Sequence, residues 1–316
     1  MRLLSLSLFA AVLTAQQLPK PIQDLVDGDH WKRARALAVA NLKQNPNDSQ
    51  ALLSMSIIEE SFGDMAKARS YAEQAIAKAP NDAYTHAQLA RICAESAETG
   101  SVFRQLNNVR IMKRELEAAY KLDPNNLDAL LTDMMFTYKA PAVVGGSKAK
   151  AHAIAKRIGQ HHPDWASLVE AKLAQHDLQE PVAIQALARA PHNFRAQVNL
   201  GLVYCCFSPN PRHEEAARIA KMLMQKEPTR VSGYEILARV HAARMAIKEL
   251  ESTLAEAVRN VPEDLSPYYW AAKALIQNKR EHERAETYLR RYLSQEPEGR
   301  APTTAEAMAL LKQLGR

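Results

Sequence analysis

Two stretches of the chain carry side chains that could bind an anion or a metal ion. In "VVGGSKAK", residues 143–150, Gly146, Ser147 and Lys148 stand together, as in a loop that cradles phosphate. A phosphate-binding loop needs a glycine five residues before a contiguous Gly-Lys pair, and a strand in front of it. Here Lys148 does not directly follow Gly146, and an alanine-rich helix is expected to precede the stretch. A helix start still attracts anions, but the pattern does not predict nucleotide binding.

The histidines give no metal site. His161 and His162 are adjacent in "GQHHPDW", so they would point apart on a helix, and ligation would need partners from elsewhere. His213 precedes a glutamate but lacks the second histidine four residues on that a zinc-protease helix requires. No serine or cysteine nucleophile has a recognisable turn signature around it. We therefore predict no metal, no cofactor and no catalytic residue, and we expect a protein that is not an enzyme.

The three cysteines are Cys93, Cys205 and Cys206. An exported protein that relied on disulfides would normally carry more of them, evenly paired. The adjacent pair would bond only with a strained backbone, and it lacks the spacing and trailing histidine of a haem attachment. We expect all three to be reduced, partly buried thiols.

Composition and charge narrow the class of protein. The chain has 316 residues, of which 47% are hydrophobic but only 6% are aromatic. This mixture suits an alanine-rich helical protein better than a sheet, which would need more Val, Ile and Thr. The formal charge of +6 is modest and both signs are interspersed. The sequence contains no long run of like charges, so it does not predict nucleic-acid binding.

The first residues, "MRLLSLSLFAAVLTAQQLPKP", resemble a secretory signal. Arg2 gives the positive start, and Leu3 to Leu13 form an apolar core of eleven residues. That core is too short to span a bilayer, which takes about 20 residues. We predict a signal peptide at residues 1–15, no transmembrane segment after its removal, and a periplasmic or secreted protein. The alternative is a short buried helix.

Helix-ending prolines recur along the chain at intervals of 28 to 44 residues. They are Pro46, Pro80, Pro124, Pro163, Pro191, Pro228, Pro262 and Pro297. Proline cannot continue a helix but is well placed just beyond one, so each interval predicts two helices followed by a turn. Counting back from these prolines, alanine recurs at two positions four residues apart, hence on one face of the second helix. Twelve residues back stand Ala34, Ala68, Ala151, Ala216 and Ala285, and eight back stand Ala38, Ala72, Ala155, Ala183 and Ala220. Small side chains there predict close contact between the helices of a unit.

One unit shows a fuller motif: Leu200, Gly201 and Tyr204 precede Ala216, Ala220 and Pro228. This set resembles the tetratricopeptide repeat. The resemblance implies an all-α, right-handed superhelical α-solenoid of about eight helix-turn-helix units over residues 16–300. Residues 301–316 would add a C-terminal capping helix with Thr303 or Thr304 as its N-cap.

Two units depart from the regular spacing. Residues 83–124 hold ten extra residues, which predict an unusually long second helix whose basic stretch, Arg104 to Arg114, is a solvated face. The next unit contains "KAPAVVGGSKAKA", where Pro141 and Gly145-Gly146 break the hairpin and Ser147 can cap a helix. A similar loop occurs in exported bacterial proteins of this repeat class, some of which resemble the periplasmic repeat component of TRAP-type transporters.

In the tetratricopeptide repeat, certain positions of each first helix face a groove that binds a peptide or a partner protein. The resemblance assigns to that groove Leu53, Ile57, Tyr84, Arg91, Leu131, Met135, Tyr138, Glu170, Arg195, Val198, Leu202, Glu235, Arg239, Tyr269 and Lys273. The family's best-known peptide clamp uses a Lys, Asn, Asn, Lys and Arg set, but Leu53 and Ile57 stand where its first two members would be. We expect instead a partner segment with apolar anchors and some acidic character, held by Arg195, Arg239 and Lys273. The alternative is a solvated wall with no partner.

Two functions fit these expectations. The first is a non-enzymatic scaffold that binds a protein or peptide outside the cytoplasm through the groove. The alternative is an accessory subunit of a solute capture or transport system that binds a small molecule or a transporter partner. An enzyme grafted on the array would need a dry pocket with perturbed acids.

Overall fold

Helices joined by short turns make up the computed structural model, which describes residues 18–98, 101–208 and 210–315. Over these residues the helices are α1 (Lys20–Asp27), α2 (Trp31–Gln44), α3 (Ser49–Ser61), α4 (Met65–Lys78), α5 (Ala83–Ser96), α6 (Val102–Leu122), α7 (Leu127–Lys139), α8 (Lys148–His161), α9 (Pro163–His176), α10 (Glu180–Ala188), α11 (Phe194–Leu202), α12 (His213–Lys226), α13 (Ser232–Ala243), α14 (Ile247–Asn260), α15 (Ser266–Gln277), α16 (His282–Tyr292) and α17 (Thr304–Gln313). A 3₁₀ turn, Ala142–Val144, precedes α8, and a π-helical segment, Val203–Phe207, follows α11. The described ranges contain no strand, which confirms the all-α prediction.

The first sixteen of these helices form eight consecutive helix-turn-helix units, each with a first (odd-numbered) and a second (even-numbered) helix. Six of the second helices begin fifteen residues before the proline that ends their unit, as Trp31 does before Pro46 and Met65 before Pro80. Proline lacks the N–H that another helical residue would supply, so the recurring proline fixes where each second helix stops. The predicted repeat of about eight units is confirmed. The predicted signal peptide, residues 1–15, lies outside the described residues.

Small residues set the distance between the helices, as their spacing predicts. The alanines twelve residues before the prolines are fully buried, namely Ala34, Ala68, Ala151, Ala216 and Ala285. Gly201 is as tightly enclosed, since a Cβ placed there would lie 2.9 Å from Ile236 Cδ1 and 3.3 Å from Ile219 Cγ2. Larger side chains at these sites would push the helices apart.

The chain divides into two compact units, one up to Val169 and one from Glu170 onward, with the boundary inside α9. In unit 1, Ile22, Trp31 and Ile58 belong to one apolar cluster, and first helices contact first helices, as α5 contacts α3 and α7. In unit 2 a cluster rich in tyrosine joins α13 to α17 and includes Tyr269, which lies 5.5 Å from the Tyr292 ring. Each unit therefore has its own core.

Helix α6 is the long second helix that the sequence predicts. It has 21 residues, whereas α2, α4, α8, α12 and α14 have 14 each. Because α6 ends two residues before Pro124, as α2 and α4 end two residues before their prolines, its seven additional residues are the first seven, 102–108. The extension thus lies at the N-terminal end of the helix.

The expectation for the cysteines is wrong at the adjacent pair. Cys205 and Cys206 form a disulfide, while Cys93 is a free, buried thiol whose pKa burial raises to about 11. The expectation rested on the argument that adjacent cysteines bond only with a strained backbone. Here the backbone through both cysteines is π-helical, and the Ser208 amide donates to the Val203 carbonyl at 3.1 Å.

Candidate partner-binding surface

The structure places the fifteen residues assigned to the groove in two environments. Four lie in the core with 2 to 4% of their surface exposed, namely Leu53, Ile57, Leu131 and Tyr269. Their side chains support the helices from inside and are not accessible to a partner. The others keep some exposed surface: Tyr84, Arg91, Met135 and Tyr138 in unit 1, and Glu170, Arg195, Val198, Leu202, Glu235, Arg239 and Lys273 in unit 2.

In unit 1 the groove arginine is bound by its own neighbours. Arg91 Nη2 donates to Glu60 Oε2 and to Gln88 Oε1, both at 2.6 Å. The Gln88 amide in turn donates to Glu60 at 2.7 Å and to Ser56 Oγ at 3.1 Å. Burial opposes the charge of Arg91, but the carboxylates of Glu60 and Asp128 outweigh it and raise the pKa of the guanidinium above its usual value. This arginine is part of a polar network within the fold, although its Nε has no hydrogen-bond partner.

Two more accessible groove residues of unit 1, Tyr138 and Tyr84, also have partners within the fold. The ring of Tyr138 lies 4.9 Å below the Lys148 ammonium. Ser147, just before that lysine, caps α8 by accepting from the Lys150 amide at 3.2 Å, as its sequence context predicts. Tyr84 packs against the first apolar cluster, and burial raises its pKa to about 12. The sequence "VVGGSKAK" therefore serves helix capping and a cation–π contact.

Unit 2 presents a different arrangement, centred on a tryptophan. Trp270 Nε1 on α15 donates to Glu235 Oε1 on α13 at 3.0 Å. The Arg239 guanidinium, one turn after Glu235, stacks over the Trp270 ring at 3.7 Å, and the Lys273 ammonium lies 5.0 Å from the same ring. We call Glu235, Arg239, Trp270 and Lys273 the Trp270 cluster.

The two cations of the Trp270 cluster share one weak counter-ion. The nearest approach of Arg239 Nη1 to Glu235 Oε2 is 3.8 Å, which is too long for a hydrogen bond. Arg239 Nη1 is buried and has no hydrogen-bond partner, although its side chain keeps 12% of its surface exposed. Burial lowers the pKa of Arg239 to about 10, and burial followed by the charge of Arg239 lowers the pKa of Lys273. The cluster therefore carries excess positive charge in a poorly solvated place.

Two further acids, Glu306 and Asp264, act electrostatically on residues of the cluster. The pKa of Lys273 is lowered overall, and the charge of Glu306 acts in the opposite direction. Glu306 itself is held by Thr303 in the capping box of α17. Asp264, two residues before the start of α15, is 5% exposed and accepts from the Ser266 amide at 2.8 Å. Burial, and then the charge of Glu235, raises the pKa of Asp264 to about 7, which weakens its negative charge near neutral pH.

The structure brings together only part of the predicted cationic set. Arg239 and Lys273 meet over Trp270, while Arg195 lies on α11 with the half-buried Val198 and Leu202. Glu170 pairs with Arg189. Sequence reasoning missed Trp270, because counting positions in the repeat assigns the groove to Tyr269, which is buried. The run "PYYWAAK", in which a lysine comes three positions after the last of three aromatic residues, was the available signal.

Neither a metal site nor a membrane span is found in the described part of the chain. No group of three His, Cys, Asp or Glu side chains could hold a metal ion there. No helix within the described ranges is both long and apolar enough to cross a membrane.

Comparisons with known proteins give a partial family match and several distant structural likenesses. The family model "Regulator of microtubule dynamics protein 1-3" matches residues 30–143. No curated protein matches the chain. Among solved structures, a tetratricopeptide repeat protein from Parabacteroides merdae is 13% identical with a TM-score of 0.43, over 94% of this chain and 97% of that one.

Two further solved structures show likeness of the same degree. Yeast Tom70 is 14% identical with a TM-score of 0.43, over 87% of this chain and 68% of that one. A human IFIT1 dimer with m7Gppp-AAAA is 13% identical with a TM-score of 0.43, over 93% of this chain and 73% of that one. By its own helix-turn-helix pairs, with their small contact residues and phased prolines, the chain is an all-α helical-repeat protein whose repeat resembles the tetratricopeptide repeat.

Proposed function

We propose that the chain is a non-enzymatic scaffold that binds an acidic protein segment at the Trp270 cluster of unit 2. The observation that carries the proposal is the buried Arg239 Nη1, which has no hydrogen-bond partner beside a second cation, Lys273. A buried polar group without a partner costs free energy. A carboxylate from a bound segment would offset the charge of Arg239 and Lys273 from the part of these side chains that stays exposed, and interactions between ionised groups are the strong ones.

The surroundings favour a peptide over an isolated ion. The Trp270 ring supplies an aromatic plane next to the two cations, and aromatic and arginine side chains are typical anchors of protein interfaces. On α11, which is also a first helix of unit 2, the half-buried Val198 and Leu202 add apolar surface. An acidic residue flanked by apolar ones would match both kinds of contact.

Affinity capture with charge-matched variants tests this proposal. Arg239→Gln with Lys273→Gln should reduce the capture of acidic segments, and the measured affinity of a captured segment should fall about tenfold or more. The control, Arg218→Gln with Lys221→Gln, removes the same charge from the exposed surface of second helix α12. Equal binding by both double variants, at unchanged melting temperatures, would overturn the proposal.

A second candidate function uses the same cluster. In an accessory subunit of a solute capture or transport system, Arg239 and Lys273 would hold the anionic group of a small molecule. Calorimetric titration with small dicarboxylates distinguishes the two, since a scaffold would show no saturable binding of these compounds. Saturable binding that the Arg239→Gln variant abolishes would favour the accessory subunit.

We place this function outside the cytoplasm. The support is the sequence pattern of residues 1–15, with Arg2 followed by an apolar core of eleven residues. Mass spectrometry of the protein from its native host should find that the N-terminus has been cut near Ala15. An intact Met1 start would argue for a location inside the cell.

A further inference from the structure

The first seven residues of α6 form an exposed apolar surface that the function proposed above does not use. Val102, Phe103 and Leu106 expose 67%, 87% and 51% of their surface. Three large apolar side chains so exposed within five residues are unusual, because isolated exposed apolar residues are the norm on protein surfaces. We call residues 102–108 the α6 extension.

The α6 extension lies beyond the part of the helix that packs in the core. The buried residues of α6 begin at Met112. Helix α6 is seven residues longer than the other long second helices, which makes it about 10 Å longer at about 1.5 Å per residue. Asn108 accepts from Arg69 of α4 at 3.3 Å, so the base of the extension is held while its start is left uncovered. The apolar start of α6 is therefore accessible to a surface outside the fold.

Positive charge surrounds these apolar residues. The stretch Ser101–Arg114 contains no Asp or Glu. Its cations, all exposed, are Arg104, Arg110, Lys113 and Arg114. Arg114 is paired with Glu115, whereas Arg104 lies within residues 102–108 and Arg110 and Lys113 follow them on the same helix. The sequence interpretation of this stretch as a merely solvated face does not account for the apolar residues between the cations.

A second apolar tip lies against the same helix. The loop before α8 exposes 93% of Val143, and Lys113 Nζ donates to the neighbouring Val144 carbonyl at 2.8 Å. Gly145, with φ of 106°, turns the loop at this point, and a Cβ there would lie 3.3 Å from Lys113 Nζ. The loop is therefore fixed to α6 by the cationic stretch itself.

We propose that the α6 extension docks on an anionic membrane surface, with Phe103 and Leu106 entering the headgroup region and Arg104 and Arg110 contacting lipid phosphates. Apolar residues next to Lys and Arg are the pattern of helices that lie in the membrane interface, where anionic lipids attract the cations. A protein partner would need a groove for these convex side chains, whereas a membrane needs none. The site is in unit 1 and is independent of the Trp270 cluster.

Co-sedimentation with large unilamellar vesicles tests the proposal. The chain should bind phosphatidylcholine vesicles that contain phosphatidylglycerol, and this binding should weaken as salt rises because exposed charges are screened. Phe103→Ser with Leu106→Ser should weaken vesicle binding about tenfold or more, and so should Arg104→Gln with Arg110→Gln. All variants carry the same residues 1–15, so the contribution of that apolar stretch is equal in each.

Matched controls separate the α6 extension from general stickiness. Leu178 is also 87% exposed but lies in the turn before α10, so Leu178→Ser should leave vesicle binding unchanged. Since the altered side chains are exposed, every variant should keep the melting temperature of the parent chain. If both α6 double variants bind anionic vesicles as tightly as the parent does, or if the parent chain does not bind them, the membrane proposal is wrong. Neither result would affect peptide binding at Trp270.

Discussion

Two partly buried arginines, Arg91 in unit 1 and Arg239 in unit 2, occupy corresponding positions on first helices but have different surroundings. Arg91 of unit 1 makes hydrogen bonds of 2.6 Å to Glu60 and to Gln88, although its Nε has no partner. Arg239 of unit 2 approaches Glu235 only to 3.8 Å and leaves Nη1 unbonded. The pKa of Arg91 is raised and that of Arg239 is lowered to about 10.

The comparison shows that a groove position does not by itself define a binding residue. In unit 1 the ion pair joins α3 to α5, because Glu60 lies in the last turn of α3 and Arg91 lies on α5. In unit 2 the carboxylate of Glu235 is shared with Trp270, so its arginine stacks on an aromatic ring. The first arrangement stabilises the fold, and the second leaves charge available for a partner.

Removing the two carboxylates should give the largest difference between the units. Glu60→Ala leaves a buried guanidinium without its counter-ion, and we expect the free energy of unfolding to fall by about 3 kcal/mol. Glu235→Ala removes a single hydrogen bond from Trp270 and a long ion pair, and should cost about 1 kcal/mol. Urea unfolding, followed by hydrogen exchange in peptides of each unit, measures both. Equal costs would mean that the two arginines are equally well paired.

Overpacking the helix contacts should affect both units alike. Ala72 in unit 1 and Ala220 in unit 2 are fully buried, so Ala72→Leu and Ala220→Leu should each lower the free energy of unfolding by roughly 1 to 3 kcal/mol. Ala155 also lies eight residues before the proline that ends its helix pair, but it is partly exposed, which makes Ala155→Leu the milder control. Thermal unfolding decides the matter: unchanged melting temperatures in the first two variants would show that alanine does not set the helix distance.

The smallest effect concerns pH in unit 2. The pKa of Asp264 is about 7 in the folded chain, above the usual value of about 3.9 when unfolded. The folded state therefore binds more protons between these values, and its stability falls as pH rises through about 7. Between about pH 6 and 7.5 we expect a loss of about 1 kcal/mol. Asp264→Asn should flatten this dependence, and a stability that rises with pH in the parent chain would contradict the assignment.

The fold could be predicted from the sequence because residues close together in the chain specify the repeat. Prolines end second helices, and alanines mark the faces that touch, so helix number and phase could be read directly. The length of α6 followed from the extra residues before Pro124. These features depend on neighbours within one helix or one turn.

The candidate site was less predictable because it depends on residues far apart in the chain. Whether Arg91 is satisfied is decided by Glu60, 31 residues earlier. Trp270 reaches Glu235, 35 residues earlier, while its neighbour Tyr269 turns into the core. The π-helical backbone at Cys205 and Cys206 likewise has no signature in the spacing of apolar residues. Position counting gives a helix face, but packing decides which side chains on it stay accessible.

The length of the α6 extension indicates which insertions a second helix of this array can accept. Seven residues make nearly two turns at about 3.6 residues per turn, so the extension begins within about 20° of the angle at which α6 would otherwise start. Val102 therefore stands on the same side of the helix as Val109, which packs against the core. An insertion of two or five residues would start the helix on another side and force the preceding turn to reach around it. Second helices in this array can thus gain length in whole turns without disturbing their neighbours.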